Sequence, residues 1–181
     1  MTGVEKFDAA GINIASKAFT VEAWVNSSNS WTSGDNMWAG GGANNTDQGL
    51  HVGFGYPNMH FGLYNDDLTG TADRSGDRSS WHHYAMVMDA SHIKTMYRDG
   101  VLEPGSGPSS AFYLSSGFTL GGTSGGGASF KGTLDETRVS SGVARSPTWI
   151  WASFMTVGSN STFSVFEKLP RYGSGTVITI Q

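Results

Sequence analysis

The stretch W-H-H-Y-A-M-V-M-D-A-S-H-I-K-T-M-Y-R-D-G, from Trp81 to Gly100, decides the fold. It contains two strand-like runs, Trp81 to Met88 and His92 to Arg98, separated by a polar break at Asp89 to Ser91. A second turn signal, Asp99-Gly100, follows at once. Strand-like runs joined by such short breaks pair with their neighbours, so the sequence predicts a β-meander.

Alternation along the first run gives two largely apolar faces. One face carries His82, Tyr84, Met86 and Met88, and the other carries Trp81, His83, Ala85 and Val87. A strand that is apolar on both faces is expected at the centre of a sheet. Because neighbouring strand residues point to opposite sides, His82 and His83 are not expected to chelate one metal ion.

Other motifs follow along the chain in a fixed order. They are F-T-V-E-A-W-V at 19–25, G-L-H-V-G-F at 49–54, W-H-H-x-A at 81–85, Y-x-D-G at 97–100 and F-x-G-x-L-D-E-x-R at 130–138. As a set they resemble the laminin-G-like branch of the concanavalin A-like lectin and glucanase superfamily, over roughly residues 4–157. The resemblance implies an all-β, two-sheet antiparallel jelly-roll sandwich that binds glycans or proteins and sometimes carries a structural calcium ion.

Composition agrees with one all-β domain and excludes several classes of function. The chain has 181 residues, 26 glycines and only 14% charged residues, which is typical of short strands and tight turns. Its net charge of −4, without a Lys/Arg cluster, argues against nucleic acid as a partner. There is no cysteine for a disulfide or a thiolate metal site. No apolar run is long enough for membrane insertion.

The end of the domain is predicted to be one short C-terminal helix. Ser146-Pro147 provides a hydroxyl N-cap followed by proline at the first helical position. An apolar stripe follows, which is expected to pack in the core. The stripe consists of Trp149, Ile150, Trp151, Phe154 and Met155. The predicted jelly-roll domain therefore covers residues 1–157.

Residues 158–181 are predicted to form a C-terminal extension with two short strands. The strands are Thr162 to Glu167 and Gly175 to Gln181. They either pack on the domain as additional sheet strands or lead into a neighbouring domain. An exposed strand edge would offer a surface for self-assembly.

The beginning of the chain leaves two interpretations of its location open. Met1-Thr2-Gly3 leads straight into a strand-like segment without a signal peptide. One interpretation is a domain cut from a larger exported protein, which places it outside the cell or at the cell surface. The other is a protein made in the cytosol and released by lysis, as a virion component would be.

Ligand-binding candidates lie on a hairpin and in the loops around it. Residues 49–55 and 58–64 form the hairpin, and one of its faces alternates glycine with His and Tyr, leaving a shallow surface. Aromatic rings stack on the C–H faces of sugars while amides and carboxylates take the hydroxyls. The candidates are Trp31, Asn45, Asp47, His51, His60, Tyr64, Asn65 and Asp66. Two alternatives stay open: the glycines accommodate neighbouring side chains, and Trp31 belongs to the core.

Asp135 is the candidate metal ligand. In some members of the superfamily an Asp on the final strand ligates a structural calcium ion, and the resemblance places Asp135 there. A salt bridge or a turn role is the alternative.

Catalysis is not predicted. The glucanases of this superfamily carry a Glu-x-Asp-x-x-Glu strand, and no segment of this chain matches it. Asp135 and Glu136 are neighbours, so alternation directs them to opposite faces. The sequence therefore predicts a non-catalytic binding module for carbohydrate recognition or adhesion, at a cell surface or within a polysaccharide-targeting protein, with a glycan or a surface protein as partner. The alternative is a structural subunit, such as a virion decoration or fibre protein.

Overall fold

The computed structural model describes residues 6–115, 117–123 and 129–159 of the chain. In these ranges it shows strands joined by short turns and a helix near the end. The elements are β1 (Phe7–Asp8), β2 (Phe19–Ser27), β3 (Asp35–Gly42), β4 (Gly49–Gly55), β5 (Asn58–Gly62), β6 (Asp67–Thr69), a 3₁₀ turn (Ser75–Asp77), β7 (Trp81–Met88), β8 (Ile93–Arg98), β9 (Val101–Pro108), β10 (Thr119–Leu120), β11 (Gly132–Ser141) and α1 (Pro147–Gly158).

The strands form two antiparallel sheets packed face to face. The six-stranded sheet has the order β1-β10-β3-β4-β5-β6, and the five-stranded sheet has the order β11-β2-β7-β8-β9. Every pair of neighbouring strands is antiparallel. This confirms the predicted all-β sandwich, and β7, β8 and β9 form the predicted meander.

Strand β7 lies at the centre of the five-stranded sheet, and both of its faces are buried as predicted. Tyr84, Met86 and Met88 are at most 1% exposed and belong to the main core between the sheets. Ala85 and Val87 belong to a second apolar cluster on the outer face of the same sheet. Alternation alone thus assigns these five residues, from Tyr84 to Met88, to their layers.

The two turns of the meander are fixed by aspartate side chains. Asp89 Oδ1 accepts hydrogen bonds from the backbone N–H of Ser91 at 2.8 Å and of Ile93 at 2.9 Å. The Asp99 carboxylate accepts from the His83 backbone N–H at 2.9 Å and from His82 Nδ1 at 2.8 Å. The W-H-H and D-G motifs therefore bind each other, which gives His82 a structural role.

Only part of the glycine-rich stretch at residues 40–48 forms a loop between β3 and β4. The Gly- and Asn-rich composition of residues 40–48, G-G-G-A-N-N-T-D-Q, favours a loop from the sequence alone, but β3 continues through Gly42. A Cβ atom at Gly41 would lie 2.4 Å from the Gly117 carbonyl oxygen and 2.9 Å from the Tyr113 hydroxyl. Glycine here lets another segment approach the strand closely, and so it does not mark a turn.

Helix α1 begins as predicted and buries a different face. The Ser146 hydroxyl accepts the backbone N–H of Trp149 at 3.2 Å, and Pro147 is the first helical residue. Ile150 is fully buried in the cluster on the outer face of the five-stranded sheet. Trp149 and Trp151 are 46% and 45% exposed, so their predicted core position is wrong. The helix turns by about 100° per residue, which places the neighbours of a sheet-facing residue on its flanks.

The predicted C-terminal strands at 162–167 and 175–181 lie outside the described residues, so the extension at 158–181 stays a prediction. Within the part of the chain that is described, no helix has the length and apolar character needed to cross a bilayer.

Candidate functional site

The outer face of β4, β5 and β6 brings several of the predicted ligand residues together. Along β4 and β5, every second residue points into the core and is at most 1% exposed. These core residues are Leu50, Val52, Phe54, Met59 and Phe61. His51 and His60 therefore lie on the face turned away from the core. Their ring centroids are 6.3 Å apart.

A cluster of two imidazoles and one carboxylate forms the centre of this face. In the sheet register, His51 on β4 is opposite Gly62 on β5, and Gly62 is opposite Asp67 on β6. His60 lies two residues before Gly62 and so projects to the same side. One nitrogen of each imidazole and one oxygen of Asp67 all lie within 4.8 Å of one another, and His60 Nε2 is 3.9 Å from Asp67 Oδ1.

Gly62 provides the floor of this cluster. A Cβ atom at that position would lie 2.2 Å from Asp67 Oδ1 and 2.7 Å from His60 Nε2. The alternative that these glycines accommodate neighbouring side chains is therefore correct at Gly62. Asp67 is not among the residues that the sequence predicts to bind a ligand, because only the β5–β6 register shows that it faces Gly62.

Burial and the neighbouring charges set the protonation state of the His60 imidazole. The Thr69 hydroxyl lies 3.4 Å from His60 Nδ1, on the side of the ring away from Asp67. Burial lowers the pKa of His60, and the nearby Asp67 carboxylate opposes this effect. The ring is therefore predominantly neutral at neutral pH.

Tyr64 extends the face toward the turn between β5 and β6. Tyr64 and Asn65 both have positive φ, 59° and 61°, and the Leu63 backbone N–H donates to the Asp66 carbonyl at 3.0 Å. Two consecutive residues of positive φ are typical of a tight hairpin turn. The Tyr64 ring centroid lies 6.1 Å from that of His51.

The predicted loop residues lie beside this turn. Asn65 Nδ2 donates to Thr46 Oγ1 at 3.3 Å, which joins the β5–β6 turn to the β3–β4 loop. Asn45 is exposed in that loop, and Asp47 is partly buried. The two loops thus border the aromatic face on one side.

Asp66 is engaged within the fold. Its carboxylate accepts hydrogen bonds from Lys94 Nζ at 2.9 Å and from the Ser109 hydroxyl at 2.5 Å. Burial alone would raise the pKa of Asp66, but the hydrogen bonds from Ser109 and Lys94 outweigh it and lower the pKa to about 2. We therefore assign Asp66 to the fold and omit it from the ligand surface.

The predicted exposure of Trp31 is wrong. Its side chain is 1% exposed, and its ring packs on Phe54 and Tyr56 at centroid distances of 5.1 and 5.2 Å. Its indole Nε1 donates to the Gly34 carbonyl at 3.0 Å, so the polar atom of the ring is satisfied inside the protein. The alternative that Trp31 belongs to the core is correct.

Asp135 lies on the opposite sheet and is exposed. Its Oδ1 accepts the backbone N–H of Glu136 at 2.8 Å, at an irregularity of β11 where Glu136 has a φ of 48°. It belongs to no group of three metal-ligating side chains in the described residues. The calcium ion at Asp135 stays a prediction.

A pocket beside α1 was missed because Trp149 is predicted to be buried. It has a volume of about 310 Å³ and is lined by Arg138, Trp149, Ala152, Ser153 and Thr156. The Arg145 guanidinium lies 4.1 Å from the centre of the Trp149 ring. The sequence does contain a signal for this pocket. Trp149 is adjacent to Ile150, so if Ile150 faces the sheet, Trp149 lies on the flank of the helix.

Two carboxylates approach each other near the β5–β6 turn. The Ser110 hydroxyl lies 3.2 Å from Asp47 Oδ2 and 3.3 Å from Asp66 Oδ2. Glycoside hydrolysis needs one such group as a protonated acid. With a pKa of about 2, Asp66 is ionised at neutral pH and does not supply that proton.

Comparison with known proteins identifies a family for this chain. The laminin G-like sequence model described as the concanavalin A-like lectin/glucanases superfamily matches residues 3–150. A search of curated protein sequences finds no match.

Solved structures with the same fold include domain 4 of AbnA, a GH43 extracellular arabinanase from Geobacillus stearothermophilus, in complex with arabinotriose. It has a TM-score of 0.57 and 20% identity, over 83% of this chain and 81% of that chain. The mouse laminin alpha1 chain, domains LG4-5, has a TM-score of 0.55 and 17% identity, over 77% of this chain and 39% of that chain.

The botulinum neurotoxin serotype D binding domain has a TM-score of 0.61 and 11% identity, over 90% of this chain and 44% of that chain. The chain therefore spans less than half of the laminin and neurotoxin structures. At these identities the likenesses show the fold. The family match covers most of the chain, which belongs to the laminin G-like branch of the concanavalin A-like lectin/glucanases superfamily.

Proposed function

We propose that this chain is a non-catalytic module that binds carbohydrate on the outer face of β4, β5 and β6. The observation that carries the proposal is the adjacent placement of His51 on β4 and Tyr64 just after β5, with ring centroids 6.1 Å apart. Rings on a shallow surface supply stacking area for sugar C–H faces. Asn65, His60 and Asp67 border these rings and supply hydrogen-bonding groups for hydroxyls.

Two further observations support a binding role. Domain 4 of the arabinanase, which shares the fold, was solved in complex with arabinotriose. The low pKa of Asp66 also keeps that carboxylate ionised at neutral pH, so Asp66 does not supply a general acid. With this function we propose a location outside the cell or at the cell surface, and a glycan or a surface protein as partner.

Isothermal titration calorimetry with short neutral oligosaccharides, beginning with arabino-oligosaccharides, tests the proposal. We expect dissociation constants between micromolar and millimolar, with binding weakened at least ~10-fold by Tyr64→Ala because the stacking ring is lost. Phe7→Ala is the matched control, since Phe7 is 65% exposed on the far edge strand of the same sheet. Binding that survives Tyr64→Ala and His51→Ala but is lost in Trp149→Ala would move the site to the pocket beside α1.

The alternative function is a structural subunit, such as a virion decoration or fibre protein. The exposed Trp149 and Trp151 on α1 favour it, because exposed aromatic rings are common at protein interfaces. No oligosaccharide binding, together with ordered assembly of the chain in sedimentation velocity experiments, would support this alternative and contradict the first proposal.

A further inference from the structure

The cluster on β4, β5 and β6 has a donor set suited to a metal ion as well as to sugar hydroxyls. We infer that His51, His60 and Asp67 form a binding site for a divalent first-row transition metal ion, represented here by Zn²⁺. The inference goes beyond the proposed function and does not depend on it, because the metal ion alone is the probe. The site lies on the six-stranded sheet, whereas the calcium predicted at Asp135 lies on the other sheet.

The chemistry of the donors selects the class of ion. Two imidazole nitrogens and one carboxylate oxygen suit Zn²⁺ and its neighbours, whereas calcium takes six to eight oxygen ligands. Three protein ligands leave coordination positions for water or another ligand. The side chains of His60 and Asp67 are 14% and 39% exposed, so an ion from solution can reach them.

The distances leave room for an ion between the donors. His60 Nε2 and Asp67 Oδ1 are 3.9 Å apart, which is too long for a hydrogen bond. Ligand atoms on a tetrahedral zinc ion lie about 3.4 Å from each other, given metal–ligand distances near 2.1 Å. The three donors are within 4.8 Å of one another, so rotations of the side chains that close the gaps by about an ångström complete the site.

The surroundings support this arrangement. The Thr69 hydroxyl lies 3.4 Å from His60 Nδ1 and can fix the ring while Nε2 faces the ion, which is the usual arrangement around a metal-binding histidine. Gly62 keeps the space between the donors open, because a Cβ there would lie 2.7 Å from His60 Nε2. All three ligands stand on adjacent strands of one sheet, which holds them more rigidly than loops would.

Isothermal titration calorimetry of the untagged chain with zinc chloride tests the site. We expect one ion per chain and no competition from calcium. His51→Gln, His60→Gln and Asp67→Asn each weaken binding at least ~10-fold, and Thr69→Val weakens it by about 10-fold through the lost contact with the ring. The visible absorption of bound Co²⁺ gives a second readout that reports imidazole ligation directly.

His92→Asn is the matched control, and zinc binding by this variant should equal that of the original chain. His92 contacts Phe112 away from the cluster, with ring centroids 4.2 Å apart, and its φ of 62° is tolerated by asparagine. Circular dichroism checks the fold of each variant. If His60→Gln fails to fold, the Asp67→Asn and His51→Gln variants decide. No zinc or cobalt binding by the original chain, or binding unchanged in both of those variants, overturns the inference.

Discussion

The ammonium group of Lys94 is buried, with 1% exposure, and lies 2.9 Å from the Asp66 Oδ1 atom on the opposite sheet. It also donates to the Asp66 carbonyl oxygen at 2.5 Å. Lys94 belongs to β8 of the five-stranded sheet, and Asp66 belongs to the turn between β5 and β6 of the six-stranded sheet. This pair therefore ties the turn beside the candidate site to the other layer of the sandwich.

We expect Asp66→Asn to lower the free energy of unfolding by about 2 to 3 kcal/mol, because it leaves a buried ammonium group without its counter-charge. Urea denaturation followed by circular dichroism measures the change. Asp73→Asn is the control, since Asp73 is exposed and its hydrogen bond to the Ser75 N–H can be kept by asparagine. Equal stability of the two variants would show that the Lys94–Asp66 pair contributes nothing.

Stability should fall on acidification in a window set by Asp66. The pKa of Asp66 is lowered from 3.8 to about 2 in the folded chain, so the folded state favours the ionised carboxylate. The stabilisation is complete above the unfolded pKa and is lost as the pH falls from about 4 toward 2. Urea midpoints at a series of pH values test this. The loss over that window should be smaller in Asp66→Asn, and an identical pH profile would contradict the assignment.

Gly41 and Gly62 should respond differently to alanine. A Cβ at Gly41 meets the backbone carbonyl of Gly117 at 2.4 Å, and backbone does not move cheaply, so we expect Gly41→Ala to cost about 2 to 3 kcal/mol. A Cβ at Gly62 meets the ends of the Asp67 and His60 side chains, which can rotate away. Gly62→Ala should lower the melting temperature much less. Thermal denaturation compares the two, and the reverse order would contradict the geometry.

Two adjacent residues of α1 test how the helix is oriented. Ile150→Ala should destabilise the fold by about 2 to 4 kcal/mol, because it leaves a cavity in the cluster on the outer face of the five-stranded sheet. Trp149→Ala should cost about 1 kcal/mol, mainly the contact with Arg145. Chemical denaturation measures both. A larger loss for Trp149→Ala would mean that the tryptophan is the buried residue.

The calcium predicted at Asp135 is tested by melting temperature. An ion that binds only the folded chain raises the melting temperature as its concentration increases. If calcium stabilises the chain through Asp135, added calcium raises the melting temperature and Asp135→Asn abolishes the rise. A melting temperature unmoved by calcium or by chelator excludes a stabilising ion there.

Alternation and turn chemistry predicted the layers of the sandwich correctly. The pattern along Trp81 to Met88 separates the main core from the outer cluster, because the period of a strand fixes which face each side chain occupies. The Asp99-Gly100 turn was visible for a similar reason, since few residue types adopt the conformation it needs. The inner and outer faces of β4 and β5 follow from the same rule.

The candidate site was predicted only in part, because it depends on pairing between strands. His51, His60 and Tyr64 share a face by alternation, but Asp67 joins them through the register that places it opposite Gly62. Trp31 was misplaced because no periodicity in the loop shows that the ring folds back onto Phe54. Tertiary contacts of this kind leave no pattern along the chain.

The four sheet edges in the described residues are poor templates for an added strand. Strands β1 and β6 have two and three residues, β9 contains Pro104 and Pro108, and β11 is interrupted at Glu136. Short, proline-bearing or irregular edges resist pairing with another chain. In the described part of the chain, a contact between copies would therefore rely on side-chain faces, where single substitutions can change its strength.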